Sequence, residues 1–419
     1  IFFEELVSPK VAQTIADAIQ AETDGLSPIE GLSDEQQENG DDYFSVMRQN
    51  LKALENALNS AKKDGKAPEV IVNVPEQSNT AAVAITIPKN SLEEIEKSPD
   101  TLLTAKAGDI IITFNDPAIA EIDRNSKEDI VITSGKAEIS KLTEEQKMQV
   151  GDKPVYSLSV TSGDVAITDF KGNVRVSIPY TLKPGENPNA IVVYYVDGKG
   201  NLRIVENSVY DSVTGRVTFT TTHFSVFMIG SNPVEFEDVK DHWGKPVIDF
   251  AAARGLVSGV DKGRYQPDRA ITRAEFVQMV QNVLKLAEAA DIAEYSDVAA
   301  DQWYYRAIMP LKAAGLLQGI ETADNHFMPN RVITREEMAM ILANAAAWKK
   351  LDISSGELDL SERYKDFEFI KKDYLDEIQT VVKLGLMSGD GIVFNPKEIT
   401  TRAQAVEVQI NLLKLLMGT

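Results

Sequence analysis

Ile271-Thr272-Arg273-Ala274-Glu275 returns as Ile333-Thr334-Arg335-Glu336-Glu337 and again as Ile399-Thr400-Thr401-Arg402-Ala403-Gln404. Pro267, Pro329 and Pro396 stand five residues before Thr272, Thr334 and Thr401. Further upstream the copies share Arg254-Gly255-Leu256-Val257-Ser258-Gly259, Ala314-Gly315-Leu316-Leu317-Gln318-Gly319 and Leu384-Gly385-Leu386-Met387-Ser388-Gly389. Each opens with an aromatic and an Asp: Phe236-Glu237-Asp238-Val239, Tyr295-Ser296-Asp297-Val298 and Tyr364-Lys365-Asp366-Phe367. Three ordered copies are the mark of a repeat architecture, in which neighbouring units bury one another's apolar faces.

Thr272-x-x-Glu275, Thr334-x-x-Glu337 and Thr401-x-x-Gln404 read as capping boxes, which satisfy orphaned N–H groups at a helix start. That role accounts for Thr and Glu. It does not account for Arg273, Arg335 and Arg402, since a cation in the first helical turn opposes the macrodipole at a cost of about 0.3–1 kcal/mol. Two roles stay open for these guanidinium groups. One is an anion receptor built with the helix N–H groups; the other is pairing with Asp238, Asp297 or Asp366 to hold the repeats together. Trp243 and Trp303 suit either a sugar face or a core, because each precedes a helix whose apolar side includes Ile248 or Ile308. In the third copy Asp373 takes the Trp place, with Tyr374 beside it. Gly259, Gly319 and Gly389 read first as helix ends or turns, and second as points where a sugar approaches the backbone.

This pattern closely resembles S-layer homology repeats, the triplets by which bacterial surface proteins attach to cell-wall polysaccharide. The resemblance covers the last third to half of the chain. It implies an all-α pseudo-threefold bundle with grooves between neighbouring repeats, and a secondary cell-wall polymer as ligand, often carrying ketal-pyruvate. The ligand-binding candidates are then Arg273, Arg335, Arg402, Trp243, Trp303, Asp238, Asp297, Asp366, Gly259, Gly319 and Gly389.

Outward from the repeats the character changes. Residues 67–232 hold short β-branched runs such as Val70-Ile71-Val72, Ala82-Val83-Ala84-Ile85 and Ile110-Ile111-Ile112, with turn residues between, which predicts a sandwich-like β region or two small subdomains. Short helices are expected at 88–97 and 143–149. Ile178-Pro179-Tyr180, Val193-Tyr194-Tyr195 and Thr221-Thr222-His223-Phe224-Ser225 resemble a sandwich module that precedes such triplets, implying a spacer. His223-Phe224-Ser225 also resembles a self-cleaving step, with a core strand as the alternative. Ser231-Asn232-Pro233 reads as a linker.

Residues 1–66 read as an N-terminal helical segment. Ser8-Pro9 starts one helix, and Phe44, Met47, Leu51, Leu54 and Leu58 stripe another, for packing within the domain or for a lattice seam against a second chain. The whole is a multidomain α+β chain divided at 1–66, 67–232, 233–290, 291–350 and 351–419.

Composition bounds the rest. The formal charge of -21 on 419 residues disfavours nucleic acid and anionic lipid. With no Cys, disulfides and thiolate chemistry are excluded, and three scattered His make an imidazole metal centre a poor fit. The many carboxylates leave calcium binding open, but no EF-hand order of ligands is present, and no cofactor is expected. No apolar run is long enough to span a bilayer, and Ile1-Phe2-Phe3-Glu4-Glu5 reads as a processed or trimmed start. The expectation is an extracellular, cell-wall or S-layer protein, anchored noncovalently and without catalysis. The alternative is a wall-anchored enzyme, such as a glycoside hydrolase, whose catalytic module lies upstream or in the β region.

Overall fold

The computed structural model describes residues 2–4, 24–26, 68–74, 82–137, 143, 144, 147, 152–197, 199–261, 263–288, 294–351, 353 and 358–418. The chain forms two compact units. The first comprises Ile1–Tyr180, Tyr194–Arg203 and Phe219–Met228; the second comprises Thr181–Val193, Ile204–Thr218 and Ile229–Thr419.

In the first unit β1 (Phe2–Glu4) and β2 (Asp24–Leu26) pair in parallel. The helices expected near 8–20 and 44–58 lie outside the described residues. Next come β3 (Glu69–Val74), β4 (Ala82–Ile87), α1 (Lys89–Glu96), β5 (Leu102–Ala107), β6 (Ile110–Phe114), α2 (Asp116–Asn125), β7 (Ile130–Lys136), β8 (Val155–Ser162), β9 (Val165–Ala166) and β10 (Asp169–Pro179). The strands β11 (Ile191–Val196), β12 (Leu202–Val205), β14 (Arg216–His223) and β15 (Val226–Ser231) are shared by the two units along the chain, and β13 (Ser208–Asp211) belongs to the second.

One sheet of this unit runs β14-β10-β6-β5-β3, the other β12-β11-β15-β8-β7-β4 with β9 beside β8. Burial alternates along β10, where Phe170, Val174, Val176 and Ile178 are hidden and Asp169, Lys171 and Asn173 are not. That period of two is what a strand with one covered face requires. Phe170 meets Phe114 and Phe224 edge-on, at centroid distances of 5.7 and 4.8 Å.

The helix expected at 88–97 is α1. The one at 143–149 falls mostly outside the described residues. Sequence reading missed α2, although Asn115-Asp116-Pro117 carries its signal: the Asn115 side chain accepts from the Ala118 N–H, and Pro117 stands in the first turn. Gly172 lets α2 sit directly on β10, since a Cβ there would lie 2.3 Å from Ala118 N.

The second unit holds α3 (Lys245–Ala253), α4 (Arg273–Leu284), α5 (Tyr305–Ala313), α6 (Arg335–Trp348), α7 (Leu360–Arg363), α8 (Leu375–Lys383) and α9 (Arg402–Met417). Phe276, Val280, Leu311, Ile341, Ile378 and Leu412 belong to one continuous core. The three longest helices each begin at a complete capping box, with Thr272, Thr334 and Thr401 as caps. Just before them the chain closes a cycle of backbone hydrogen bonds. Ile271 N–H donates to Thr400 O (3.0 Å), Thr400 N–H to Ile333 O (3.2 Å) and Ile333 N–H to Ile271 O (3.1 Å).

The stretch read as a linker carries hydrogen bonds of its own. Asn232 N–H donates to Ala190 O at 2.8 Å, and the Asn232 side chain donates to Ala253 O at 2.6 Å.

Candidate functional site

Each repeat contributes a strained turn just before the Pro that all three copies share. Gln266, Met328 and Asn395 have φ of 58, 57 and 56°, the left-handed region that residues with a Cβ seldom adopt. A carboxylate holds each one there. Asp238 accepts from Tyr265 N–H and Gln266 N–H (2.8 and 2.7 Å), Asp297 from Phe327 and Met328 (2.8 and 2.7 Å), and Asp366 from Phe394 and Asn395 (2.8 and 2.7 Å). Burial acts to raise the Asp238 pKa, but the Tyr265 and Gln266 N–H bonds outweigh it, leaving the carboxyl below its ordinary value.

The guanidinium groups reach the other side of the same peptides, from a different repeat. Arg273 donates to Phe327 O and Ile320 O, both at 2.5 Å. Arg335 donates to Phe394 O (2.8 Å) and Ser388 O (2.7 Å), and Arg402 to Tyr265 O (3.0 Å) and Ser258 O (3.1 Å). The order is therefore repeat 1 to 2, 2 to 3, and 3 back to 1. Of the two roles left open for these arginines, direct pairing with Asp238, Asp297 or Asp366 is not the arrangement found. Arginine and aspartate lie on opposite ends of one residue, the Arg on its carbonyl and the Asp on its N–H.

The proposed use of free helix N–H groups is also corrected. Arg273 N–H and Ala274 N–H donate to Arg331 O and Pro329 O, Arg335 and Glu336 to Glu398 O and Pro396 O, and Arg402 and Ala403 to Arg269 O and Pro267 O. With the third N–H bonded to the capping Thr, the first turn has little left for an anion.

The three junctions then differ. Arg273 is 2% exposed and forms an ion pair with Glu337 at 3.0 Å, which closes it off from solvent. Glu337 is shared with Arg331 as well. Arg335 is half-buried like Arg402 and, among the described residues, likewise makes no ion pair; desolvation pulls its pKa down. Beside it Glu336 is buried and paired with Lys371 at 2.9 Å. Arg402 is partly exposed and, among the described residues, makes no ion pair. The capping Glu275 nearest to it is taken by Arg269 at 2.5 Å.

Trp243 and Trp303 are 56% and 59% exposed, which settles their open choice against core packing. Trp243 stands beside the Arg402 helix: a Cβ on the next residue, Gly244, would lie 3.1 Å from the Ala403 Cβ. In the third repeat Asp373, at the position of the Trp, is exposed and Tyr374 is buried; the exposed ring of this repeat is Phe369, a few residues earlier. The glycines are packing requirements. A Cβ on Gly259 would meet Arg264 O at 2.8 Å, on Gly319 the Met340 side chain at 2.9 Å, and on Gly389 Val393 O at 1.9 Å.

Sequence reasoning missed Glu337 as partner of Arg273, and Glu336 with Lys371. The first was legible only as a cap. Elsewhere, Phe224 and Ser225 lie between β14 and β15 rather than within a strand: Ser225 Oγ donates to Val196 O at 2.9 Å and Phe224 is buried against Phe114 and Phe170.

The S-layer homology domain family matches residues 235–277, 294–339 and 363–406. The chain carries an S-layer homology triplet. Residues 1–57 match the family described as zinc-uptake complex component A, periplasmic. Among whole proteins, the amylopullulanase of Thermoanaerobacterium thermosulfurigenes is 29% identical over 84% of this chain and 18% of its own length. The S-layer protein sap of Bacillus anthracis is 30% identical over 48% of the chain and 24% of its own length. The high-affinity zinc uptake system protein ZnuA of Bacillus subtilis is 50% identical over 58 residues, 14% of the chain and 18% of its own length. The chain thus spans a quarter or less of these relatives.

The expectation of a protein without catalysis is overturned by the relatives. Beside the amylopullulanase they include an exoglucanase, an endo-1,4-beta-xylanase and an endoglucanase. No helix among the described residues is long and apolar enough to cross a membrane.

Proposed function

We propose that the triplet anchors this protein noncovalently to a secondary cell-wall polysaccharide at the cell surface. The three ordered S-layer homology matches and the S-layer protein relatives support this reading. The bundle is pseudo-threefold, as the cycle of Ile271, Ile333 and Thr400 suggests. Its binding groove is the junction of repeats 3 and 1, where a half-buried Arg402 and an exposed Trp243 lie on segments that pack together through Ala403 and Gly244. That pairing is the observation that carries the reading: an indole covers the C–H face of a hexose while a guanidinium takes a carboxylate. An acidic substituent such as ketal-pyruvate fits it. Local placement outweighs the net charge of -21, because exposed charges farther than about 8 Å are largely screened at physiological salt.

Co-sedimentation with purified wall sacculi tests this. The double variant Trp243→Ala/Arg402→Ala should stay in the supernatant with its helical circular dichroism intact, and sacculi stripped of polymer should fail to bring down the unaltered protein. Retention of the double variant on intact sacculi would overturn the assignment.

The anchored module has two readings. The enzyme relatives favour a wall-anchored polysaccharide hydrolase, tested by release of reducing sugar from starch, cellulose and xylan. A specific observation favours a zinc-capturing module: 50% identity over 58 residues to a zinc uptake protein, in a segment where β1 and β2 pair in parallel. Titration of the protein with zinc, read by calorimetry, tests that.

A further inference from the structure

Arg254 ends α3 and is 1% exposed, yet no carboxylate bonds it among the described residues. Four carbonyls do. Its Nη1 donates to Asn189 O and Phe250 O, both at 2.9 Å, its Nη2 to Ile191 O at 2.7 Å, and its Nε to Ser208 O. The guanidinium also stacks on the Phe250 ring, 3.4 Å from the centroid. Burial draws its pKa down to about 9, which still leaves it charged at neutral pH.

The equivalent positions in the other repeats are Ala314 and Leu384, so this cation is peculiar to repeat 1. Other bonds surround it. Asn187 donates to Asp249 at 3.1 Å, Lys245 pairs with Asp249 at 2.6 Å, and Lys285 pairs with Glu206 at 2.9 Å. Val209 is part of the helical core.

We infer that Arg254 is a latch that fastens the first repeat to segments 187–191 and 206–209, so that these segments and the triplet open as one cooperative body. The planar fork suits this work because its N–H groups diverge in fixed directions, toward chain segments far apart in sequence. A carbonyl stranded by its loss would be buried without a donor.

Hydrogen exchange of the full chain, read peptide by peptide, tests the latch. In the unaltered protein, peptides over 187–193 and 206–211 should exchange in the same opening event as those from α4 and α6. Arg254→Met should speed exchange in the two strand-end segments about a hundredfold while α6 keeps its protection. Arg254→Lys, a single point charge, should give an intermediate acceleration of at least about tenfold. If Arg254→Met is not recovered folded, the Lys variant decides. Unchanged protection in the variant measured, or separate opening of the strand ends in the unaltered protein, overturns the inference. The readout is independent of wall binding.

Discussion

Arg273 and Arg402 occupy the same first helical position after the same Thr cap, and both reach across to a carbonyl before a Pro in another repeat. Their fates differ because of one neighbour. Arg273 shares Glu337 with Arg331 in a buried ion pair, whereas the equivalent Glu275 pairs with Arg269 and, among the described residues, forms no ion pair with Arg402. An unaltered motif can thus be a rivet at one junction and a receptor at the next. What differs is whether the capping Glu of the adjoining repeat, paired in both cases with the Arg six residues before it, also takes the incoming guanidinium.

The comparison can be broken most directly at Arg273. Replacing it by Met leaves a buried carboxylate short of a partner, a change that costs about 3–5 kcal/mol when a buried pair is broken. Because Arg331 stays beside Glu337, the loss should lie near the lower end. Denaturant unfolding followed by tryptophan fluorescence measures it, and the folded fraction should still sediment with sacculi. A loss below about 1 kcal/mol, together with lost binding, would reverse the roles assigned to the two arginines.

Arg402→Ala alone should act the other way. We expect at least about a tenfold weaker binding to sacculi, or about 1.4 kcal/mol, with stability close to that of the unaltered chain. Equal binding losses for Arg273→Ala and Arg402→Ala, both in folded protein, would remove the distinction between the junctions.

A smaller effect is expected at the caps. Thr334→Ala removes the hydroxyl that accepts from Glu337 N–H and should cost about 1 kcal/mol in denaturant unfolding. Since Glu337 serves both cap and ion pair, the Thr334→Ala and Arg273→Met effects should fail to add. Strict additivity would show that the two roles are independent.

Acid gives the mildest test. The Asp238 carboxyl titrates below its ordinary value when folded, so its contribution is present above the unfolded pKa and is lost as pH falls through the folded one. Melting temperature recorded from about pH 5 downward should drop, and Asp238→Asn should flatten that drop while lowering stability at neutral pH. An identical acid profile in the variant would show that Asp238 does not hold the turn.

Much of the helical half was legible beforehand. The capping boxes, the helix starts and the three-copy order follow from local rules, since a Thr and a Glu three residues apart can satisfy N–H groups only at a helix entrance. The β region was legible as strands because alternation reports one covered face. The α2 helix was missed beneath strand-like neighbours, although Asn115 and Pro117 marked it. The exposure of the two tryptophans was not legible, because Ile248 and Ile308 fill the core in their place.

Residue order alone determined that repeats exist, where their helices begin, and that an arginine stands three times in an electrostatically awkward place. Only the folded arrangement decided what each arginine does. Local signals act within a few residues of one another, whereas Arg273 finds Glu337, Arg402 finds Tyr265 and Ser258, and Arg254 finds Ser208 across long stretches of chain. A charge takes its meaning from the groups that share its burial, and those are assembled by packing.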